Sequence, residues 1–343
     1  MSEYLVGLVP YKVVARAQIL AEDVGAGNKM MNVPAVWVDT EGAGVKVVVL
    51  DTGAPDHVDI ELSGQANFVP LGPEIAGAQP RNRPVHIAGD ANGHSTHVCG
   101  IVRATRNNGI GCVGVAPKCE LWTGQVLDGD GSGELEWIVE GIYWATDVVQ
   151  ADVINMSLGI DASAPLIREF KKACDYACSQ GVTIVAAAGN EYGRVGQPAC
   201  YESMIAVGAV NGAKEHAEFS NTGKEVDFAA FGVEVFSCWP KNGYAKLSGT
   251  SMAGPFVAGV ATLIIAKHRL AGEELTPAEV KEHIRKIAFD VGPDGFDETF
   301  GWGIPVFGHG EEEKEEEEEE KEEEKGIWQR MMDWLTRKFI FWK

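Results

Sequence analysis

Three short motifs contain residue types that could carry out nucleophilic catalysis: Asp51 in LDTG, His94 in GHSTHVCG and Ser251 in SGTSMAGP. A histidine can take the proton of a serine hydroxyl, which is otherwise a weak nucleophile, and an aspartate can orient that histidine. Each motif alone is weak evidence, because Asp-Thr-Gly is a common strand ending and a serine before small residues is often a helix N-cap. Together, in the order Asp, His, Ser, they match one of the known orders of a catalytic triad.

Two other interpretations of these motifs are weaker. His94 and His97 could bind a metal, but a metalloprotease helix would place its histidines at i,i+4 with a glutamate, and these are at i,i+3. An aspartic protease would need a second Asp-Thr-Gly carboxylate, and the sequence contains none. We therefore interpret His97 as a structural histidine.

The elements that must position these residues alternate along the chain. Apolar runs rich in Val, Ile and Ala predict buried strands at residues 45–53, 120–127, 152–159, 182–190 and 204–210. Helical patterns predict a helix starting near His94 and further helices at residues 134–148, 165–180, 250–268 and 277–287. This alternation predicts an α/β fold, a three-layer sandwich with a mostly parallel central sheet and helices on both faces. Sites of such folds lie at the carboxyl ends of the strands.

Composition limits the function classes. A chain of 343 residues with 45% hydrophobic content can bury a large core, and its net charge of -21 argues against nucleic-acid binding while leaving carboxylates for hard cations such as calcium. Seven cysteines, an odd number without Cys-x-x-Cys pairs, indicate a reducing compartment. The N-terminus does not resemble a signal peptide, and no stretch approaches the length of a transmembrane helix. These features predict a soluble cytoplasmic protein.

Over residues 33–303 the sequence resembles the subtilisin family. The resemblance rests on VVVLDTG, GHSTHVCGIV, NNGIGCVGVAP, LDGDGSGELEWIVEGIYWA, DVINMSLG, VAAAGN and LSGTSMAGPFVAG, which occur in the family's order. It implies a serine endopeptidase that works through an acyl-enzyme, with Asp51, His94 and Ser251 as its triad and the amide of Asn190 as an oxyanion donor. The alternative is a catalytically weak or inactive member of the family that binds peptides.

The resemblance also implies where a protein or peptide substrate binds. A substrate would lie as an added strand between two extended edges, formed by Gly131, Ser132 and Gly133 on one side and by Ser157, Leu158 and Gly159 on the other. Gly196 would form the floor of the pocket for the residue before the scissile bond and leave room for a large apolar side chain. Glu191 near the rim could also accept a basic one.

Structural calcium is implied by the same resemblance. One site would use the Asp59 carboxylate, the Asn108 side chain and the main-chain carbonyls of Arg106, Ile110 and Cys112. A second and weaker cation site would use Glu225 and Asp227, near Tyr201.

Three positions depart from the family pattern. Ser95 stands where the family has glycine, Cys99 where it usually has alanine, and Phe256 where it often has histidine. Ser95 adds a side chain beside the base and could slow the enzyme or narrow the cleft. Cys99 could make activity sensitive to thiol reagents.

The two ends of the chain suggest regulation. The segment Leu8, Val9, Pro10, Tyr11 resembles the short N-terminal extension of intracellular subtilisins, which lies across the active site as an inhibitor until it is removed. We therefore divide the chain into an inhibitory extension (1–20), a catalytic domain (21–310), an acidic linker (311–325) and an amphipathic tail (326–343). The tail could dock on the body, on a second copy in a homodimer, or on a membrane surface.

Overall fold

The computed structural model describes residues 5–17, 21–70, 89–161 and 164–309. The chain divides into two units, Met1–Phe307 and Gly308–Lys343, and the fold described below is that of the first unit. The predicted acidic linker and amphipathic tail lie outside the described residues. The predicted homodimer and membrane contacts of the tail lie outside them as well.

Fifteen strands and six α-helices occur in the described residues. The strands are β1 (Leu5–Leu8), β2 (Lys12–Ala17), β3 (Lys46–Asp51), β4 (Gly64–Asn67), β5 (Glu120–Gln125), β6 (Ser132–Gly133), β7 (Val153–Met156), β8 (Leu158–Asp161), β9 (Thr183–Ala187), β10 (Ile205–Val210), β11 (Phe228–Phe231), β12 (Val235–Trp239), β13 (Gly243–Ser248), β14 (Ala288–Phe289) and β15 (Ile304–Pro305). The α-helices are α1 (Ala26–Met30), α2 (His94–Arg103), α3 (Leu135–Tyr143), α4 (Ala164–Ser179), α5 (Thr250–Leu270) and α6 (Pro277–Lys286).

The central sheet has seven strands in the order β11-β10-β9-β7-β3-β5-β4, and every neighbouring pair is parallel. Strand β3, next to the middle strand β7, is buried on both faces: Val47 and Val49 join one hydrophobic core, and Val48 and Leu50 join the other. Side chains alternate between the two faces of a strand, so a strand that is apolar at consecutive positions needs a cover on each side.

Helices supply those two covers. The helices α2, α5 and α6 contribute to the core that contains Val47, and α3 and α4 contribute to the core that contains Leu50. The predicted three-layer α/β sandwich is therefore confirmed. Two smaller antiparallel sheets, β6-β1-β8 and β12-β13-β2, incorporate the N-terminal strands.

Three details differ from the sequence-based expectation. The strand predicted at residues 152–159 is two strands, because β7 belongs to the central sheet whereas β8 leaves it and pairs with β1. The helix predicted at residues 134–148 changes to π-helical geometry at Trp144–Val149. Helix α5, with 21 residues, is long and apolar enough to cross a membrane, contrary to expectation, but 94% of its most apolar window is buried inside the protein. It is a core helix.

Candidate active site

Asp51, His94 and Ser251 come from three different elements and all lie in the protein interior. Asp51 is the last residue of β3, His94 the first residue of α2 and Ser251 the second residue of α5, and all three are fully buried. The turn into α2 requires Gly93, whose φ of 97° is left-handed and whose missing Cβ would lie 2.7 Å from the Trp239 ring. The strand end and the two helix starts thus position the three side chains predicted from sequence.

The acid–base half of this cluster is assembled. His94 Nδ1 lies 2.8 Å from Asp51 Oδ1 and 2.9 Å from Asp51 Oδ2, and Asp51 Oδ1 also accepts the N–H of Thr52. A carboxylate at Nδ1 holds the proton there and leaves Nε2 free to act as a base.

The nucleophile half is not engaged. His94 Nε2 is buried with no hydrogen-bond partner among the described residues, and Ser251 Oγ instead donates to the carbonyl oxygen of Ser157 at 3.3 Å. The Ser251 hydroxyl would have to leave this carbonyl oxygen before it could pass its proton to His94.

Asn190 is held by Thr250, a residue whose role sequence reasoning missed. The side-chain oxygen of Asn190 accepts both the backbone N–H (2.8 Å) and the hydroxyl (2.9 Å) of Thr250. Its amide nitrogen is thereby turned toward the cleft, where it donates to the carbonyl oxygen of Pro10 at 2.6 Å. The only sequence feature that could have indicated this role is the position of Thr250 directly before Ser251.

A second buried carboxylate, Asp90, was also missed. It accepts the Thr52 hydroxyl at 2.8 Å, the N–H of Gly93 at 2.9 Å, and both the N–H and the hydroxyl of Thr96 at 2.7 Å. These bonds tie the residue after Asp51 to the first turn of the helix that begins with His94. Asp90 therefore links the end of β3 to the start of α2, and only its place four residues before His94 hinted at this.

Ser95 does not narrow the cleft as expected. Its side chain is fully buried, and its hydroxyl donates to the carbonyl oxygen of Gly53 at 2.6 Å. It adds another link between α2 and the end of β3. Cys99 lies one turn further along the helix, and burial raises the pKa of its thiol well above the usual value, so it stays protonated.

Strand β1 lies between the two edges that were predicted to bind a substrate. It pairs antiparallel with β6, with Gly7 opposite Ser132, and antiparallel with β8, with Leu8 opposite Leu158. The N–H of Leu8 also donates to the carbonyl oxygen of Gly131 at 2.9 Å. Two more of the predicted edge residues pair in the same register, Gly133 with Val6 and Gly159 with Gly7, whereas Ser157 lies just outside the paired residues.

The residues that follow β1 cover the rest of the cleft. Val9 is buried beside a cavity of about 460 Å³ whose lining includes Gly196 and Glu191. An added Cβ at Gly196 would meet nothing within 4 Å, so the predicted room at this position is present. The Tyr11 ring lies 4.9 Å from the His94 ring, and its hydroxyl donates to Asn92 Oδ1 at 2.9 Å.

His97 is structural, as predicted. Its Nε2 lies 3.0 Å from the carbonyl oxygen of Val235 on β12 and 3.2 Å from that of Ala245 on β13, and it is fully buried. Burial lowers the pKa of His97 from its ordinary 6.5 to about 3. The neutral ring joins α2 to the β12–β13 hairpin.

This depressed pKa predicts a pH dependence of stability. As the pH falls below 6.5, His97 binds a proton in the unfolded chain but not in the folded one. The free energy of unfolding therefore decreases by about 1.4 kcal/mol per pH unit until the pH reaches the folded pKa of His97. Replacing His97 by glutamine is expected to remove roughly 2.3 kcal/mol of the loss between pH 6.5 and 4.5, because the unfolded imidazole is already half protonated at pH 6.5. Urea unfolding at both pH values measures it, and equal losses in the two proteins would contradict it.

Some of the residues predicted to bind the first calcium ion are in contact with one another. Asn108 Nδ2 donates to Asp59 Oδ1 at 2.6 Å, and the N–H of Cys112 donates to Asp59 Oδ2 at 3.3 Å. Arg106 and Ile110 belong to the same loop, and the Arg106 side chain forms an ion pair with Glu41. Sequence reasoning missed Glu22, whose Oε2 accepts the N–H groups of Asn108 and Gly109.

The second predicted cation site differs from expectation. Asp227 Oδ1 forms an ion pair with Lys281 Nζ at 2.6 Å, and Oδ2 accepts the N–H of Ala206 at 2.9 Å. The lysine already compensates the charge that Asp227 was expected to offer to a metal ion. The Asp59 loop is therefore the better candidate.

Comparison with known proteins agrees with this geometry. The model of the subtilase family (Peptidase S8) matches residues 42–303. The chain belongs to the subtilase family. An intracellular serine protease of Paenibacillus polymyxa is 39% identical over 300 residues, which cover 84% of this chain and 87% of that protein. A subtilisin of Bacillus pumilus is 40% identical over 279 residues, 79% of this chain and 94% of that protein.

A third relative, subtilisin E of Bacillus subtilis (strain 168), is 40% identical over 279 residues, which cover 79% of this chain and 68% of that protein. These relatives are named as subtilisins and serine proteases, and the match extends over the segments that contain Asp51, His94 and Ser251. This subtilase is accordingly a subtilisin-like serine endopeptidase, with proteins or peptides as its substrates.

Proposed function

We propose that this subtilase is a cytoplasmic endopeptidase that cleaves peptide bonds through an Asp51–His94–Ser251 triad and that its own N-terminal segment holds it inactive. The observation that carries the proposal is the 2.6 Å hydrogen bond from Asn190 Nδ2 to the carbonyl oxygen of Pro10, at the end of a segment paired along both edges of the cleft. The chain's own backbone is thus bound in the manner expected of a substrate.

The proposed chemistry gives each of these side chains one role. Ser251 Oγ forms a bond to the carbonyl carbon of the substrate while its proton passes to His94 Nε2, and Asp51 stabilises the resulting imidazolium. Asn190 donates to the oxygen that becomes negative. The C–N bond then breaks as His94 returns the proton to the leaving amine, and water repeats both steps on the acyl-enzyme to release the acid.

Three features support the inhibitory role of residues 5–11. The Pro10 carbonyl occupies the donor that the reaction needs, Tyr11 lies against the His94 ring, and the Ser251 hydroxyl points to Ser157 rather than to His94. Pro10 has no N–H, so the pairing of β1 cannot continue through it, and the strand ends at Leu8. The segment therefore fills the cleft in a non-reactive arrangement.

The disengaged Ser251 and His94 are also what an inactive peptide-binding member of the family would have. A serine-directed phosphonofluoridate separates the two candidates. The chain lacking residues 1–11 is expected to be labelled rapidly at Ser251, the full chain slowly, and the truncated Ser251→Ala variant not at all. A truncated, folded protein that stays unlabelled would favour the peptide-binding candidate.

A cytoplasmic location is supported by two observations. The Paenibacillus polymyxa relative is named an intracellular protease. In this chain all seven cysteines are free thiols, and five of them are buried. Free thiols in this number fit a reducing compartment.

We also propose a structural calcium ion at the Asp59 loop. The donor set fits a hard cation: Asp59 is a buried carboxylate whose pKa burial raises, a penalty that a bound cation would relieve, and Glu22 adds a second carboxylate to the loop. Asn108 now presents its amide nitrogen to Asp59, so its side chain would have to turn to offer oxygen. Bound calcium would fasten this loop and supply no catalytic step.

Removing calcium is expected to lower the melting temperature. A ligand present at about 100 times its Kd stabilises by roughly 2.7 kcal/mol, which corresponds to a shift of about 5 °C in a domain of this size. The measurement is thermal unfolding with Ca²⁺ or with a calcium-selective chelator. The Asp59→Asn variant is expected to melt at one temperature under both conditions; a calcium response that survives this change would place the ion elsewhere.

A further inference from the structure

Three buried side chains with metal-binding atoms converge outside the catalytic centre. Cys112 Sγ lies 3.6 Å from Cys238 Sγ, and Asp59 Oδ2 lies 4.0 Å from the first sulfur and 3.9 Å from the second. All three residues are buried. Within the part of the chain that the structure describes, they form the group of His, Cys, Asp or Glu side chains whose donor atoms lie close enough together to share one metal ion. The catalytic mechanism uses none of them.

We propose that Asp59, Cys112 and Cys238 bind a thiophilic divalent cation of the Zn²⁺ or Cd²⁺ type. Two sulfurs bonded to one tetrahedral zinc at about 2.3 Å each lie about 3.8 Å apart, and the two thiols are within a few tenths of an ångström of that separation. A carboxylate oxygen in the same coordination sphere would lie about 3.5 Å from each sulfur, so Asp59 needs only a small approach.

The three ligands come from segments that the fold itself holds together. Asp59 follows β3, Cys112 follows α2, and Cys238 lies on β12 opposite Tyr244 of β13. The Tyr244 hydroxyl is 3.3 Å from Asp59 Oδ2 and supplies a further oxygen at the cluster. The donor atoms are thus positioned by the sheet hairpin and by a helix end, before any ion binds.

This cluster is distinct from the proposed calcium position, although both involve Asp59 and Cys112: the calcium position would use the main-chain carbonyl of Cys112, and the cluster uses its thiol. Oδ1 of the carboxylate faces the loop and accepts from Asn108, whereas Oδ2 faces the two thiols. Calcium takes oxygen ligands and does not select sulfur, whereas zinc and cadmium do. The same carboxylate can therefore serve a hard cation on one side and a soft one on the other.

One of the three ligand residues, Cys112, also borders a cavity. This cavity has a volume of about 390 Å³ and also touches Gly100, Ser237 and Lys246. On binding, each thiol releases its proton to solvent and forms a sulfur–metal bond, and the cation compensates the two thiolates. No redox step is involved.

The bound ion would connect the loop at residues 106–112 to the β12–β13 hairpin, which already contacts α2 through His97. An ion that binds only the folded chain raises its stability by mass action. We therefore expect stabilisation by the metal, with the reacting groups untouched.

The test is a titration of the fully reduced full chain with Cd²⁺ alone, in excess Ca²⁺ so that hard-cation sites stay filled. The expected result is sulfur-to-cadmium charge-transfer absorption that saturates at one ion per chain and a melting temperature that rises with it. Cys112→Ser and Cys238→Ser are each expected to weaken binding at least about 10-fold. Cys178→Ser, which removes a half-buried thiol on α4, is the matched control and should bind normally.

A measurement on the unmodified protein guards against variants that fail to fold. X-ray absorption of the cadmium complex should show two sulfur ligands with oxygen completing the shell. A sulfur-free shell, or absorption that survives the Cys112→Ser and Cys238→Ser double variant, would overturn the site. Loss of the absorption in Cys178→Ser alone would do so too.

Discussion

Replacing Ser251 by alanine in the chain that lacks residues 1–11 is expected to lower kcat for peptide hydrolysis by about 10⁶, a magnitude borrowed from the same change in subtilisin, a relative. Without Oγ no acyl-enzyme can form, and His94 has no proton to take. The residual rate comes from binding and from the Asn190 donor acting on water. Steady-state hydrolysis of a chromogenic peptide, with mass spectrometry of the trapped acyl-enzyme, measures the loss.

Three further variants make this result specific. His94→Ala should cost about as much as Ser251→Ala, and the double variant should cost no more than either, because the groups act as a unit. Ser179→Ala, which removes an exposed hydroxyl on α4, should leave kcat unchanged. Hydrolysis that persists in Ser251→Ala would mean that another residue is the nucleophile.

Deleting residues 1–11 is expected to raise peptidase turnover by about 10³. A tethered segment at an effective concentration of about 1 mM, with an intrinsic Kd of about 1 µM, leaves roughly one cleft in a thousand open. The deletion removes β1 and the contacts of Pro10 and Tyr11 but keeps β2 paired with β13. Initial rates on a peptide library, with the full chain verified intact by mass, give the ratio.

The same prediction can be tested by restoring the segment. The free peptide LVGLVPY, residues 5–11, should inhibit the truncated enzyme competitively, whereas a peptide of the same composition in scrambled order should inhibit only weakly. Turnover that is unchanged in a folded, truncated protein would remove the inhibitory role, while phosphonofluoridate labelling at Ser251 would still report the triad.

Much of the central sheet was predictable because the burial of its strands is visible in the sequence as runs of apolar residues. Residues 47–50 are apolar at every position, which only a strand covered on both faces tolerates, and all of them are fully buried. The helix starts at His94 and Ser251 were visible from the small residues around them. These local signals placed the three catalytic candidates at one end of the sheet.

The rest depended on partners far away in the chain. Strand β1 forms because it pairs with β6 and β8. Both partners lie more than a hundred residues further along the chain, and nothing local in LVGL specifies them. The direction of the Ser251 hydroxyl is set by a carbonyl at Ser157, and the burial of Ser95 by a carbonyl at Gly53. Such side-chain orientations follow from tertiary packing, which a one-dimensional pattern does not encode.

The pairing of β2 with β13 has a consequence for the mature enzyme. β2 covers the outer edge of β13, which ends at Ser248, three residues before Ser251. A cut after Tyr11 leaves that edge covered, whereas a cut beyond Ala17 exposes a row of unpaired N–H and C=O groups to which another chain can add a strand. If the N-terminal segment is removed by a cut, as the proposed inhibition would require, the position of that cut is expected to decide whether the product self-associates through the edge of β13, which ends three residues before Ser251.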